Sequence, residues 1–364
     1  MDVRSVAALG LVLLVAVIAA PAATARDETP PPDGFYGVMW DRSAMTAPAT
    51  LQEAQFALMR RSGVETVRTA FSWEDAQPRQ NEPTNFASTD RLVELAAQHR
   101  IELLPVIIYT PYWARIHFYA GFSSRPRRIG DYASFVEELV RRYGPTGSFW
   151  TERPDLPRRP LRYWQIWNEP NLPHFWWTGK AGRWTRSYGR LLNASYDAVK
   201  RADPGAKVVL GALANESWRD LRRLYKTKEP PRFDVAAINL FTSSPGNTLR
   251  GLRRVRAVLD GAGDADKPLW LTETTWPATG HLFGSPPIAG WDTTPTGMAH
   301  RLTRLYALAA RHHERLKLER AYWYTWASDY STFNAFDYSG LVRWTGRRFV
   351  PEPALAAFSA AAEQ

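Results

Sequence analysis

The chain has 364 residues, a formal net charge of +10 and no cysteine. That length suits one large domain or two ordinary ones, and the lack of cysteine excludes disulfides, thiolate catalysis and Cys-ligated metals. The positive charge suits a solubilising surface or attraction to an anionic partner, but no basic helix and no nucleic-acid module is visible, so nucleic acid is not an expected partner.

In chain order, Arg4 precedes an apolar run over residues 6–20, and Ala23-Thr24-Ala25 fits a small-x-small cleavage pattern. Residues 1–25 therefore read as an export signal, with the mature chain starting near Arg26 and secreted. The run is short for a membrane span, so no stable span is expected after cleavage; an uncleaved anchor is the alternative. Residues 26–33 are Pro-rich and polar and read as a linker.

From Gly34 onward, strand-like and helix-like segments alternate. Residues 35–40 suit a first strand. Thr50 with Glu53 predicts a capping box ahead of a helix that Gly63 ends. Residues 64–71 are β-rich and carry Arg68. Leu92, Leu95, Ala96 and His99 mark a second helix. Residues 101–109 form an apolar run, as expected of a strand covered on both sides. Tyr132, Phe135, Val136, Leu139, Val140 and Tyr143 have helical spacing, and Gly144 stops them. Residues 163–170, Tyr-Trp-Gln-Ile-Trp-Asn-Glu-Pro, read as an apolar strand stopped by a proline. Its loop holds Phe175, Trp176 and Trp177. Strand five is expected at 207–213, strand six at 233–241, strand seven at 268–273 and strand eight at 321–326, with helices between them and a last helix at 353–362. The His312-His313 pair falls on the helix before strand eight and reads as surface.

Eight strand–helix units in a row predict a parallel sheet closed into a (β/α)8 barrel, a TIM barrel of the α/β class, over residues 34–364 as a single domain. Chemistry in that fold gathers at the C-terminal strand ends. Glu169 ends strand four and Glu273 ends strand seven. An ionised carboxylate at a strand end needs water or a partner, so both sit at the barrel mouth. Sixteen Trp, fifteen Tyr and sixteen Phe are a high aromatic content; some belong to the core, and Trp near polar loops also suits a cleft that stacks flat sugar rings.

Trp167-Asn168-Glu169-Pro170-Asn171, with the second glutamate and a Trp ending strand eight, resembles the retaining glycoside hydrolases of clan A. It is most similar to family 39 and related bacterial exopolysaccharide hydrolases, with families 5 and 30 as neighbours. The resemblance implies an O-glycosidase with Glu169 as general acid/base and Glu273 as nucleophile. It implies that Asn168 bonds the sugar 2-hydroxyl, that Arg68 at the end of strand two keeps the nucleophile ionised, and that Trp326 lies beneath the sugar. Where the clan often reads His-x-Tyr at the end of strand six, this chain has Asn239-Leu240-Phe241, so Asn239 is the remaining polar candidate there. Trp113, Trp177 and Trp276 complete the expected substrate contacts.

Two such carboxylates suffice for glycoside cleavage without a metal or cofactor. The expected substrate is a β-linked polysaccharide or oligosaccharide cut internally, because many Trp stand in strand-end loops. An exo-acting β-xylosidase-like enzyme, a transglycosylase, and a barrel that binds polysaccharide without cutting it use the same residues. The charge adds an anionic cell-wall surface or an acidic glycan as expected partners.

Overall fold

The computed structural model describes residues 29–41, 43–178, 184–280, 290–330 and 334–363. The expected signal, residues 1–25, lies outside them. Strands β1 (Tyr36–Met39), β2 (Thr66–Ser72), β3 (Glu102–Ile108), β4 (Tyr163–Ile166), β5 (Lys207–Val209), β6 (Leu213–Ala214), β7 (Ala236–Asn239), β8 (Leu269–Thr274) and β9 (Leu318–Tyr324) run parallel in the order β5-β4-β3-β2-β1-β9-β8-β7-β6. β5 and β6 are two pieces of the fifth strand expected from the sequence. β5 pairs with β4 and β6 pairs with β7, and the Leu210 N–H donates to the Val235 carbonyl across the break at 2.9 Å. The nine strands thus serve as eight staves of a (β/α)8 barrel.

Helices wrap the staves: α1 (Ser43–Thr46), α2 (Ala49–Arg61), α3 (Trp73–Ala76), α4 (Ala87–His99), α5 (Ile129–Tyr143), α6 (Ser148–Glu152), α7 (Trp184–Ala202), α8 (Ser217–Tyr225), α9 (Pro245–Gly261), α10 (Pro295–Leu316) and α11 (Pro353–Ala362). The spacing that predicts α5 is also the face it buries, since Tyr132, Phe135, Val136, Leu139, Val140 and Tyr143 are all in the core. α2 departs from expectation. Thr50 lies inside its first turn and Pro48 holds the cap position with no side-chain bond. The helix thus begins at Ala49, ahead of the Ser/Thr signal. His313 also departs. It is buried, with Nδ1 2.6 Å from the Ala310 carbonyl oxygen and its ring against Phe35, because α10 turns that face onto β1.

A second, three-stranded sheet was not foreseen. It consists of β10 (Ala327–Ser328), β11 (Val342–Trp344) and β12 (Phe349–Pro351) and follows the eighth stave. Strands of two or three residues are too short to show a period. At the N-terminal ends of the staves, Arg320 stacks 4.6 Å over Tyr163 and 4.3 Å over Trp270, and it bonds both Glu102 oxygens at 2.9 Å. This closes the barrel floor and leaves the other end for chemistry.

Candidate active site

Two backbone features aim Glu169. β4 ends at Ile166, and then Trp167 (φ 70°) and Glu169 (φ 46°) both take the left-handed region. Non-glycine residues pay about 1–3 kcal/mol each for such strain, so the surroundings must over-determine it. They do. The buried Trp167 indole donates to the Phe175 carbonyl at 2.9 Å and packs edge-on against Trp176 at 5.0 Å. The Glu169 N–H donates to the Ala212 carbonyl at 2.9 Å. Gly211 supplies the room, since a Cβ there would lie 2.5 Å from the Ile166 carbonyl oxygen and 2.6 Å from the Tyr188 hydroxyl.

The other polar groups come from β2, β7 and β8, and from β4 itself. Arg68 is the third residue of β2, not its end as expected, and its long side chain makes up the distance. The guanidinium is fully buried, and each of its three nitrogens donates. Nη1 donates to Glu273 Oε1 at 2.5 Å, Nη2 to Asn168 Oδ1 at 2.7 Å and Nε to Gln165 Oε1 at 2.7 Å. Gln165 is held in turn by donating to the Leu210 carbonyl at 2.9 Å. Asn239, the last residue of β7, donates to Glu169 Oε1 at 2.8 Å, and its own oxygen accepts from Thr272 at 2.8 Å. Asn168 Oδ1 faces Arg68 and Asn239, which turns the Asn168 amide nitrogen outward as a donor. Arg68, Asn168, Glu169, Asn239 and Glu273 therefore form one network.

The network treats its two carboxyls differently. Glu273 shares a charge-assisted bond with Arg68, whereas Glu169 has only the neutral Asn239 amide. Burial first, and the Glu273 charge second, push Glu169 up to about 8. Burial also pushes Glu273 up, and the Arg68 guanidinium works against it. The arginine contact thus favours negative charge on Glu273 and leaves Glu169 the carboxyl that more readily holds a proton. Among the described residues, no cluster of three or more His, Cys, Asp or Glu is placed to hold a metal ion.

The aromatic expectations divide. Trp113 and Trp177 are half-buried on the loops after β3 and β4. The Trp113 indole donates to the Gln77 carbonyl at 3.0 Å, while the Trp177 indole nitrogen has no partner among the described residues. Trp276 and Trp326 are corrections. Both are fully enclosed and present no face to a ligand. The Trp276 indole bonds the Thr242 carbonyl at 2.6 Å, and the Trp326 indole bonds Gln55 of α2 at 2.9 Å. The chain passes beyond the mouth before Trp326, which then packs under the added sheet.

Tyr324, the last residue of β9, stands at the mouth instead. Its ring lies 6.2 Å from Phe241, and burial followed by the Glu273 charge pushes its phenol well up. Sequence reading missed Tyr324 and Gln165. The signal for Tyr324 was its place at the strand end, two residues before the more conspicuous Trp. Trp326→Ala is expected to cost about 3–5 kcal/mol of stability by leaving a core cavity, with KM unchanged. Tyr324→Ala is expected to raise KM severalfold at little cost in stability. Urea unfolding and steady-state kinetics check both.

No protein-family model matches the chain. A curated β-xylosidase from Caldicellulosiruptor saccharolyticus is 28% identical over 137 residues, which is 35% of this chain and 24% of that protein. Three solved structures share the fold. A family 39 glycoside hydrolase from Bacteroides cellulosilyticus has a TM-score of 0.60 and 18% identity, over 91% of this chain and 64% of its own. A monomeric β-xylosidase from Caulobacter crescentus has a TM-score of 0.65 and 16% identity, over 91% and 69%. A β-glucosidase from Thermotoga maritima has a TM-score of 0.66 and 10% identity, over 92% and 98%. The chain spans about a quarter of the curated relative's length. At these identities the structural likeness is one of fold, the TIM barrel.

Proposed function

We propose that this chain is a retaining β-glycoside hydrolase with Glu169 as acid/base and Glu273 as nucleophile. The observation that carries the proposal is the asymmetry of the pair. One carboxyl is bonded to a buried arginine and the other, beside it in the same network, is pushed up to about 8. In the first step the Glu169 proton passes to the glycosidic oxygen as the C–O bond breaks, and a Glu273 oxygen bonds the anomeric carbon. Glu273 is then an ester and no longer repels a charge on Glu169. Glu169 takes a proton from water, the hydroxide equivalent attacks the anomeric carbon, and Glu273 leaves as carboxylate. The outward amide of Asn168 suits the sugar 2-hydroxyl.

Cleavage within a polysaccharide is supported by an exposed aromatic row on the loop after β3, Tyr112, Phe118, Tyr119 and Phe122, which offers stacking faces beyond one subsite. The exo-acting reading is favoured by the likeness to β-xylosidases. Export of the chain rests on the residue 1–25 pattern, and an anionic cell-wall surface rests on the net charge. The test is release of reducing ends from a panel of β-linked neutral and acidic polysaccharides, with Glu169→Gln as control. Oligosaccharide products support internal cleavage, and single sugars support the exo reading.

The pH profile tests the role of Glu169 separately. The acid is active while it holds its proton, so kcat/KM is expected to fall as pH rises through about 8. In Glu169→Gln that limb is expected to vanish when the substrate is an aryl glycoside whose leaving group needs no proton. A limb that persists in the variant would assign it to another group.

A further inference from the structure

Gln165, the third residue of β4, is fully buried, and both ends of its amide are engaged. Its oxygen accepts from Arg68 Nε at 2.7 Å and its nitrogen donates to the Leu210 carbonyl at 2.9 Å. The partners decide which end is which, because a guanidinium can only donate and a carbonyl can only accept. The Leu210 carbonyl stands at the break in the fifth stave. The β4–β5 ladder ends with Gln165 opposite Val209, and the Leu210 N–H goes to Val235. The Gln165 side chain takes up the carbonyl beyond that ladder. A line of buried groups therefore runs from the break through Gln165 and Arg68 to Glu273.

A guanidinium is a rigid plane with its donors in a fixed fork. Two nitrogens of Arg68 are pinned by amide oxygens of one segment, Nε by Gln165 and Nη2 by Asn168, both at 2.7 Å. With two corners fixed, the third has its direction set. Nη1 meets Glu273 Oε1 at 2.5 Å, with the Met39 sulfur 3.3 Å away. Gln165, Asn168 and Met39 are neutral, so among these contacts the guanidinium charge goes to Glu273 alone. Arg68 starts at the third residue of β2 and has a long side chain, so its aim depends on the clamp that removes its rotamer freedom.

We propose that Gln165 is a positioning residue for the displacement at Glu273: it aims the Arg68 guanidinium and leaves that group's charge undivided. The proposal rests on the glycosidase reading and deepens it. Gln165 has no surface to offer a sugar, so its effect falls on kcat and not on KM.

The test is steady-state kinetics of the full chain on 4-nitrophenyl β-xyloside and β-glucoside, whose leaving group needs little help from the acid. The acidic limb of kcat/KM then reports ionisation of Glu273. The charged and titratable groups that face Glu273 among the described residues are Arg68 from β2, Asp41 after β1, Glu169 after β4 and Tyr324 from β9. A change at Gln165 alters the charge of none of them. Gln165→Leu removes both bonds. Its kcat is expected to fall on the order of 10²-fold, the scale of a misplaced group, with KM little changed. Its acidic limb is expected to move up by about one pH unit, because a loosened Arg68 favours the carboxylate less. Gln165→Glu keeps an acceptor for Nε but gives the cation a second carboxyl, and its acidic limb is expected to move up as well. Circular dichroism confirms the fold of each variant. A kcat in Gln165→Leu within about twofold of the unaltered chain, a loss carried by KM, or an acidic limb that stays in place in both variants overturns the proposal. Glu273→Gln keeps the two readings apart. Hydrolysis that it abolishes upholds the glycosidase reading whatever the Gln165 variants do, and hydrolysis that it spares overturns that reading.

Discussion

Glu273→Gln is expected to lower kcat by at least on the order of 10⁴-fold, the scale seen when a covalent nucleophile is removed, with the fold kept and oligosaccharide binding little changed. Glutamine preserves the shape and still offers a carbonyl oxygen to Arg68, but it cannot form and release an acyl-linked sugar. Loss of turnover alone would not tell nucleophile from acid. The stereochemistry of rescue does. In Glu273→Gly, azide occupies the vacated face and is expected to give the α-glycosyl azide from an aryl β-glycoside. In Glu169→Ala, the covalent intermediate still forms and azide arrives from the opposite face, giving the β-glycosyl azide. The two anomers, read by NMR, assign the roles. Exchanged anomers would exchange the residues, and turnover retained in both variants would remove the carboxylates from the mechanism.

The second large effect is expected at Arg68. Arg68→Met removes a buried cation that bonds Glu273, Asn168 and Gln165 at once. Breaking a buried pair from one side costs about 3–5 kcal/mol, because the remaining charge is stranded. The stranded group here is a carboxyl that burial already pushes up, so without its cation it holds a proton still more tightly. Such a group contributes stability at low pH, and that stability is lost as pH rises through its folded-state pKa. The variant is therefore expected to be less destabilised in acid than in mildly alkaline buffer, and to lose activity wherever Glu273 stays protonated. Urea unfolding at both pH values, with kcat across the range, measures this. A loss of stability equal at both would mean that Arg68 acts through packing and its amide partners and does not set the charge on Glu273.

What the sequence could show depended on how local each signal was. The apolar runs, the helical spacing of α5 and the repeated strand–helix alternation are set by near neighbours along the chain, and they led to the barrel. The same rule placed Glu169 and Glu273 at the mouth, because a carboxylate that ends an apolar strand has few other places to go. Features that depend on how the staves close were not legible. One is the break between β5 and β6, which puts Gly211 close against the end of β4. Arg68 was read at a strand end, although a side chain of its length works from the third residue of the strand.

The aromatic residues show the limit most plainly. Trp326 and Trp276 have the composition of a sugar platform, but they lie enclosed and bonded to Gln55 and to the Thr242 carbonyl. A tryptophan's chemistry suits a core and a cleft equally, and only the path of the chain after β8 and β9 decides which it lines. That path puts Tyr324 at the mouth and folds the short strands β10, β11 and β12 into a second sheet. The sequence by itself determined the barrel, its open end and the two carboxylates, through patterns a few residues long. The tertiary structure alone decided which carboxylate is tied to the arginine and which aromatics face the cleft. Those outcomes depend on distances between staves, which no local pattern encodes.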